Sequence, residues 1–186
     1  MNWFNPQPTT SRPEFLADGT DSLFREAIYS LALSVEKLLA CRSIFARVLH
    51  LTPSQFAVLM GVASQQHEHG VTIKALAEHL SMAPTHVTTE IGRLETKGLL
   101  AKRRNEEDRR SIRVTLTPKG EEKVGRISPV VRETNDILFQ NVSAKSLIST
   151  HIVANKIVAN SAEAYSHALK VAAVLARESR GSKAKF

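Results

Sequence analysis

The sequence predicts a mainly α (α+β) fold, a winged helix-turn-helix lobe flanked by long N- and C-terminal helices that form a dimerisation bundle. Three observations predict it. Residues 73–94 read as two short amphipathic helices separated by a tight turn at Ser81-Met82-Ala83. A glycine stop at Gly98 leads into a basic strand, a charged loop and an alternating return strand. On either side, apolar residues recur at helical spacing over long stretches, more than one face of a solvated helix would carry.

Residues 1–20 carry Pro6, Pro8, Pro13 and Gly19 and read as a flexible arm. Phe15 and Leu16 are too apolar for a pure linker, so this end of the arm is expected to pack onto a second subunit and the rest to be disordered. Residues 21–50 form the N-terminal dimerisation helix, with Thr20 or Asp21 as N-cap. Phe24, Ile28, Leu31, Val35, Leu38 and Phe45 make its stripe, widened by Leu23, Ala27, Leu39 and Ile44. Residues 51–117 form the winged helix-turn-helix. Thr52 caps and Pro53 opens a helix whose core face is Phe56, Val58, Leu59, Val62 and Ala63. Gln65 to Gly70 ends it, Val71-Thr72 adds a short strand, and Thr72 caps the next helix.

That helix turns Ala75, Leu76, Ala77 and Leu80 inward. Pro84 opens its successor, which buries Val87, Ile91 and Leu94 in one stripe. Left outward are Thr85, His86, Thr88, Thr89, Gly92 and Arg93: hydroxyls, an imidazole and a guanidinium, with no large apolar residue. This is the surface of a DNA recognition helix. The basic strand Lys102-Arg103-Arg104 follows, then a loop from Asn105 to Ser111. The return strand places Ile112, Val114 and Leu116 inward against Arg113 and Thr115 outward. Residues 118–178 supply the C-terminal dimerisation helices. One opens at Thr117-Pro118 with Val124, Ile127, Val130, Val131 and Leu138 on its apolar side, and Pro129 is expected to kink it. A last long helix, capped by Ser143, carries Leu147, Ile148, Ile152, Val153, Ile157 and Val158 and continues in the same vein to Leu175. Residues 179–186 read as a frayed tail.

The chain has 186 residues, 42% of them hydrophobic, enough for one compact domain with appended helices. Its formal charge of +7 favours a polyanionic partner. A single cysteine, Cys41, excludes an internal disulfide framework and suits a reducing compartment. No apolar run approaches the roughly 18 residues of a membrane span, and the N-terminus lacks the pattern of a signal peptide, so a cytoplasmic protein without membrane contact is expected.

Several phrases, in order, resemble the multiple-antibiotic-resistance regulator (MarR) family of bacterial transcription factors. They are Leu51-Thr52 with Gln55-Phe56 and Val58-Leu59; Ala75-Leu76-Ala77 with Leu80; Arg93-Leu94-Glu95 with Lys97-Gly98-Leu99; and Asp108-Arg109-Arg110 with Val114, Leu116-Thr117 and Lys119-Gly120. The resemblance covers roughly Leu51 to Gly120. It implies a homodimer whose terminal helices form the base, each lobe placing its second helix in a major groove and its wing in the neighbouring minor groove. Two-fold symmetry then implies a palindromic operator with half-sites about 10 bp apart on double-stranded DNA. The resemblance further implies a repressor released by a small effector, often aromatic or anionic.

Roles follow for particular side chains. Thr85, His86, Thr88 and Thr89 would meet base edges or phosphates, and Arg93 would fork onto guanine or clamp a phosphate. Arg110 is the expected minor-groove side chain, with Asp108 orienting a wing arginine. Lys102, Arg103 and Arg109 would hold phosphates. For the effector, Arg42, Arg47 and His50 would meet an anion, and surface or dimer-pairing charges fit them equally. His67, Glu68 and His69 lack the spacing of a metal site, a polar loop being expected, and no cofactor or metal is expected elsewhere. Cys41, amid Leu38, Leu39 and Ile44, reads as a small buried hydrophobe rather than a redox sensor. Ala83 departs from the usual serine-type cap before a recognition helix.

No catalytic constellation of nucleophile and base, P-loop or metal ligands is present, so an enzyme is not expected. A winged helix that binds protein instead of specific DNA is the alternative. Against it stands the outward Thr/Arg face, because a protein-binding face carries apolar or aromatic anchors. Activator and repressor are not distinguished by the residues themselves.

Overall fold

A computed structural model describes residues 6–104 and 111–183, with side chains through 177. Six helices and three short strands follow one another: α1 (Ser22–Val48), α2 (Pro53–Gln65), β1 (Val71–Thr72), α3 (Ile73–Leu80), α4 (Pro84–Thr96), β2 (Leu100–Arg104), β3 (Ile112–Leu116), α5 (Pro118–Leu138) and α6 (Ala144–Lys183). The chain divides into two compact units, Met1–Asn135 and Asp136–Phe186.

In the first unit, local chemistry sets the helix starts. Thr52 accepts from the Gln55 amide while the Gln55 side chain accepts from the Thr52 amide, a reciprocal capping box ahead of Pro53. Thr72 caps α3 by accepting from the Ala75 amide. Ala83 offers α4 no side-chain oxygen, as its methyl dictates. The helices enclose a dry core of Phe56, Val58, Leu59, Val62, Leu76, Val87, Ile91 and Leu94, closed by Leu99, Leu100 and Val114. Gly61 brings α2 against α3 so closely that a methyl there would lie 2.9 Å from Leu76. The sheet runs β1-β3-β2, all antiparallel, with Lys102 opposite Val114 and Arg103 opposite Arg113.

Several expected exposures change. Ala75 is exposed, because α3 meets the core along Leu76 and Ala77, with Ile73 and Leu80 partly buried against it. Ile112 is exposed as well, at the end of β3 opposite Arg104. The start of α5 is built into the lobe: Ile127 is buried, and the Lys123 ammonium donates to the Leu49 carbonyl at the end of α1 (2.8 Å). The first compact unit thus runs into α5 as far as Asn135. Helix α5 continues through Pro129 without a break, and the Ser128 hydroxyl just before it donates to the Val124 carbonyl (2.7 Å).

The arm expected to be flexible is tied down where it is described. The Thr9 hydroxyl and amide both donate to the Asp21 carboxylate at 2.6 Å, Phe15 stacks on Phe24, and Arg12 lies over the Phe15 ring. Asp21, the N-cap of α1, caps no amide of its helix with its side chain; its carboxylate holds the arm through Thr9 and pairs with Arg25 of α1 at 3.0 Å. The Thr9 hydroxyl, then the Thr9 amide, hold the Asp21 carboxyl below its ordinary range against the opposing effect of desolvation, with Arg25 helping. A depressed carboxylate stabilises above its unfolded pKa and loses that contribution as pH falls through the folded one. Thr9→Val is accordingly expected to raise the pH at which the arm detaches on acidification, read as the titration of the Asp21 carboxyl carbon by NMR.

The second unit is dominated by α6, 40 residues long and so roughly 60 Å. It remains helical to Lys183, beyond the frayed tail expected from residue 179. Leu147, Ile148, Ile152, Val153, Ile157 and Val158 are each about half exposed or more. On α1 the same holds for Leu23, Ile28, Val35, Leu39 and Ile44, while only its last turn, Phe45 and Ala46, is buried. No helix among the described residues is long and apolar enough to cross a membrane.

Candidate nucleic-acid interface

Helix α3 ends at Ser81, which takes the left-handed conformation (φ +50°) and donates its amide to the Glu78 carbonyl. Met82 and Ala83 complete the turn, and Pro84 begins α4. The buried stripe Val87, Ile91 and Leu94, each without exposed surface, fixes the rotation of α4 about its axis. That rotation brings Thr85, His86, Thr88, Thr89 and Arg93 together on the solvent face, as their spacing predicts. The Thr88 hydroxyl donates to the Pro84 carbonyl (2.8 Å) and the Thr89 hydroxyl to that of Thr85 (3.0 Å). With their protons engaged along the helix, these threonines present an acceptor oxygen and a methyl group outward.

Glu90 lies beneath this face and is 3% exposed. Its Oε1 accepts from Arg93 Nη1 at 2.7 Å and stands 3.9 Å from His86 Nε2. Its position one place from the buried stripe makes it read as ordinary helix polarity in sequence, so nothing there marks it.

The basic strand divides. Arg103 and Arg104 are exposed, but Lys102 lies on the sheet face shared with Val114 and pairs with Glu95 Oε2 of α4 at 2.7 Å. Lys102 thus joins β2 to α4 through this ion pair. Strand pairing assigns the faces: Lys102 and Arg104 share the face of Val114 and Ile112, and the middle residue, Arg103, lies on the other with Arg113. Arg113 turns back to donate to the Gly70 carbonyl (3.1 Å). Asp108, Arg109 and Arg110 lie outside the described residues.

A second feature lies at the junction of α1, α4 and α5. A cavity of about 320 Å³ is lined by Leu49, His50, Leu51, Thr96, Lys97, Leu99, Lys119 and Lys123. His50 is there, in the left-handed conformation (φ +56°), whereas Arg42 and Arg47 stand exposed on α1 and do not line it. In the sequence Lys97 and Lys119 stand out only within the phrases at the exit of α4 and the entry of α5, and no local pattern marks Lys123. Lys119 donates to the Lys97 carbonyl (3.0 Å), as Lys123 does to Leu49, each ammonium facing the negative end of a helix. Cys41 is partly buried against the core. His67 and His69 are exposed in the loop after α2.

The fold and this surface define a winged helix-turn-helix of the kind found in transcriptional regulators. The family model "Transcriptional regulator SarA/Rot" matches residues 41–127, which cover the lobe from the end of α1 into α5. The HTH-type transcriptional repressor MdtR of Bacillus subtilis is 37% identical over 71 residues, 38% of this chain and 44% of that protein. The chain spans about half the length of the curated relatives it matches. Among solved structures, a MarR-family regulator from Silicibacter pomeroyi aligns over 81% of this chain and 96% of its own, with a TM-score of 0.60 and 21% identity. Bordetella bronchiseptica BpsR, described with regulation of its DNA binding by 6-hydroxynicotinic acid, aligns over 71% and 98%, with a TM-score of 0.56 and 22% identity. Residues 41–127 thus match the SarA/Rot transcriptional-regulator model, the MarR-family structures share the fold, and the curated relatives are transcriptional regulators.

Proposed function

We propose that the chain is a cytoplasmic transcriptional regulator that binds double-stranded DNA as a homodimer, most simply as a repressor released by a small effector. The observation that carries this is the solvent face of α4. Thr85, His86, Thr88, Thr89 and Arg93 stand outward over a dry stripe, a short polar surface fitted to a major groove and devoid of apolar anchors. Arg103 on the adjoining strand adds a phosphate contact, with Arg109 and Arg110 of the wing loop assigned to phosphate and minor groove, and Asp108 to orienting them.

Homodimerisation is supported by the half-exposed apolar residues of α1 and α6, which a single copy leaves in water. A two-fold pair of lobes reads a palindrome, the half-sites about one helical turn apart. The repressor role rests on likeness to MdtR, a repressor. The effector site best supported is the cavity holding His50, Lys97, Lys119 and Lys123, where the apolar Leu49, Leu51 and Leu99 would take the body of a small anion and the cations its charge. It adjoins the exit of α4, so occupancy would bear directly on the recognition helix.

The test is selection of bound sequences from a randomised duplex library, followed by mobility shifts on the recovered duplex with aromatic acids or their coenzyme A thioesters added. A recovered palindrome, a shift abolished by Arg93→Ala, and release by at least one acid that His50→Ala makes less effective are the expected results. Recovery of no motif would point to a winged helix that engages protein instead.

A further inference from the structure

Glu90 is a charged side chain on the recognition helix, yet it lies under the surface. Its Oε1 is occupied by Arg93, and its Oε2 is buried with no hydrogen-bond partner. A buried carboxylate with one oxygen unsatisfied weakens a fold unless something is gained by keeping it. It also places a negative charge close to the surface proposed for DNA, where it opposes attraction to phosphate. Both costs fall on the helix that carries the side chains proposed to meet DNA.

What Glu90 does there is geometric. Arg93 lies three residues on and His86 four residues back, so all three stand on one side of α4. An arginine with a 59% exposed side chain samples many rotamers, and ordering it on contact would weaken binding. Held at Nη1 by a carboxylate that burial itself immobilises, the guanidinium keeps Nη2 and Nε for a partner in front of it. A charge-assisted bond of 2.7 Å has the length of a strong one.

We infer that Glu90 is a positioning residue that holds Arg93 ready to read a guanine edge, so that the α4 surface discriminates bases at one position of each half-site instead of merely clamping phosphate. The inference rests on the proposed DNA-binding role. It assigns Glu90 no contact with DNA, and it makes opposite demands on specificity and stability: the carboxylate sharpens base choice while its burial leaves an oxygen unsatisfied.

The full-length chain, Glu90→Gln, Glu90→Asp and Arg93→Ala are each put through selection from the same randomised duplex library, with thermal unfolding measured alongside. Wild type is expected to recover a motif with one strongly preferred guanine per half-site. Glu90→Gln, neutral and isosteric, should relax that preference roughly tenfold at the same position that Arg93→Ala relaxes. Its affinity for random-sequence duplex should be unchanged or higher, and its unfolding temperature no lower than wild type. Glu90→Asp retains the charge without the reach and should relax the same position, which keeps the test decisive if the glutamine variant folds poorly. A residue serving only the fold would lower the unfolding temperature and leave the motif intact, and that result overturns the inference. If wild type recovers no motif, the DNA-binding role itself fails and the positioning role with it. A wild-type motif that both Glu90 variants reproduce overturns the positioning role alone.

Discussion

Gly120→Ala is expected to destabilise the lobe by about 3 kcal/mol or more, lowering the midpoint of thermal unfolding by roughly 10 °C. The reason lies in the seam between the exit of α4 and the start of α5. Gly98, at φ +71°, ends α4 by donating its amide to the Glu95 carbonyl. The Thr117 amide then donates to the Leu99 carbonyl, its hydroxyl donates to the Gly98 carbonyl, and that same oxygen caps α5 by accepting from the Gly120 amide. Gly120 packs so tightly on this seam that a methyl group would fall 2.1 Å from the Leu99 carbonyl oxygen. Backbone cannot yield there without breaking the bonds that hold it. Gly125→Ala, five residues on in the same helix with nothing within 4 Å of its added methyl, should instead stabilise by up to ~1 kcal/mol. Thermal melts of the two variants side by side check the account, and equal melting temperatures would contradict it. Because the seam fixes where α4 leaves the lobe, any Gly120→Ala protein that still folds should also bind DNA less well.

A second large effect is expected from Ile148→Glu combined with Ile152→Glu. These residues are one turn apart on α6 and are 61% and 51% exposed in a single copy. If they form part of the proposed dimer base, each copy would bury two carboxylates without partners, and the pair should separate. Helix content by circular dichroism should persist, since both isoleucines are more than half exposed within a single copy. A reader that has lost its second half-site loses the gain from linkage, about 10²- to 10⁴-fold in affinity. Sedimentation shows the mass and fluorescence anisotropy the affinity. A dimer of unaltered mass with unaltered DNA binding would place the interface elsewhere.

How much of this is legible in the sequence depends on the range over which each feature is decided. Thr52-Pro53, Thr72 and Thr117-Pro118 are local signals, because a cap satisfies amides only three residues away, and each begins a helix where it should. The stripe Val87, Ile91 and Leu94 is likewise a matter of period, and it correctly turns Thr85, His86, Thr88, Thr89 and Arg93 outward. Features decided by a partner distant in sequence are not legible in this way. Lys102 looks like its neighbours Arg103 and Arg104 until strand pairing gives it a side, and Glu95 then claims it. Asp21 looks like a helix cap until Thr9 claims it. Glu90 looks like surface until the packing of α4 covers it. Lys119 and Lys123 acquire a role only once α5 returns to the ends of α4 and α1. In each case the residue's chemistry is plain from sequence, and its occupant comes from the tertiary fold.

Two copies of the α4 surface are proposed to read DNA sequence together. Joint reading is tested most directly by equilibrium binding to three duplexes, carrying two selected half-sites, one half-site and random sequence, each over a series of salt concentrations. The expected result is two chains per two-half-site duplex, bound at least about 10³-fold more tightly than random sequence, with log affinity falling linearly in log salt concentration. Equal affinity for all three duplexes, or one chain bound per two-half-site duplex, would contradict it.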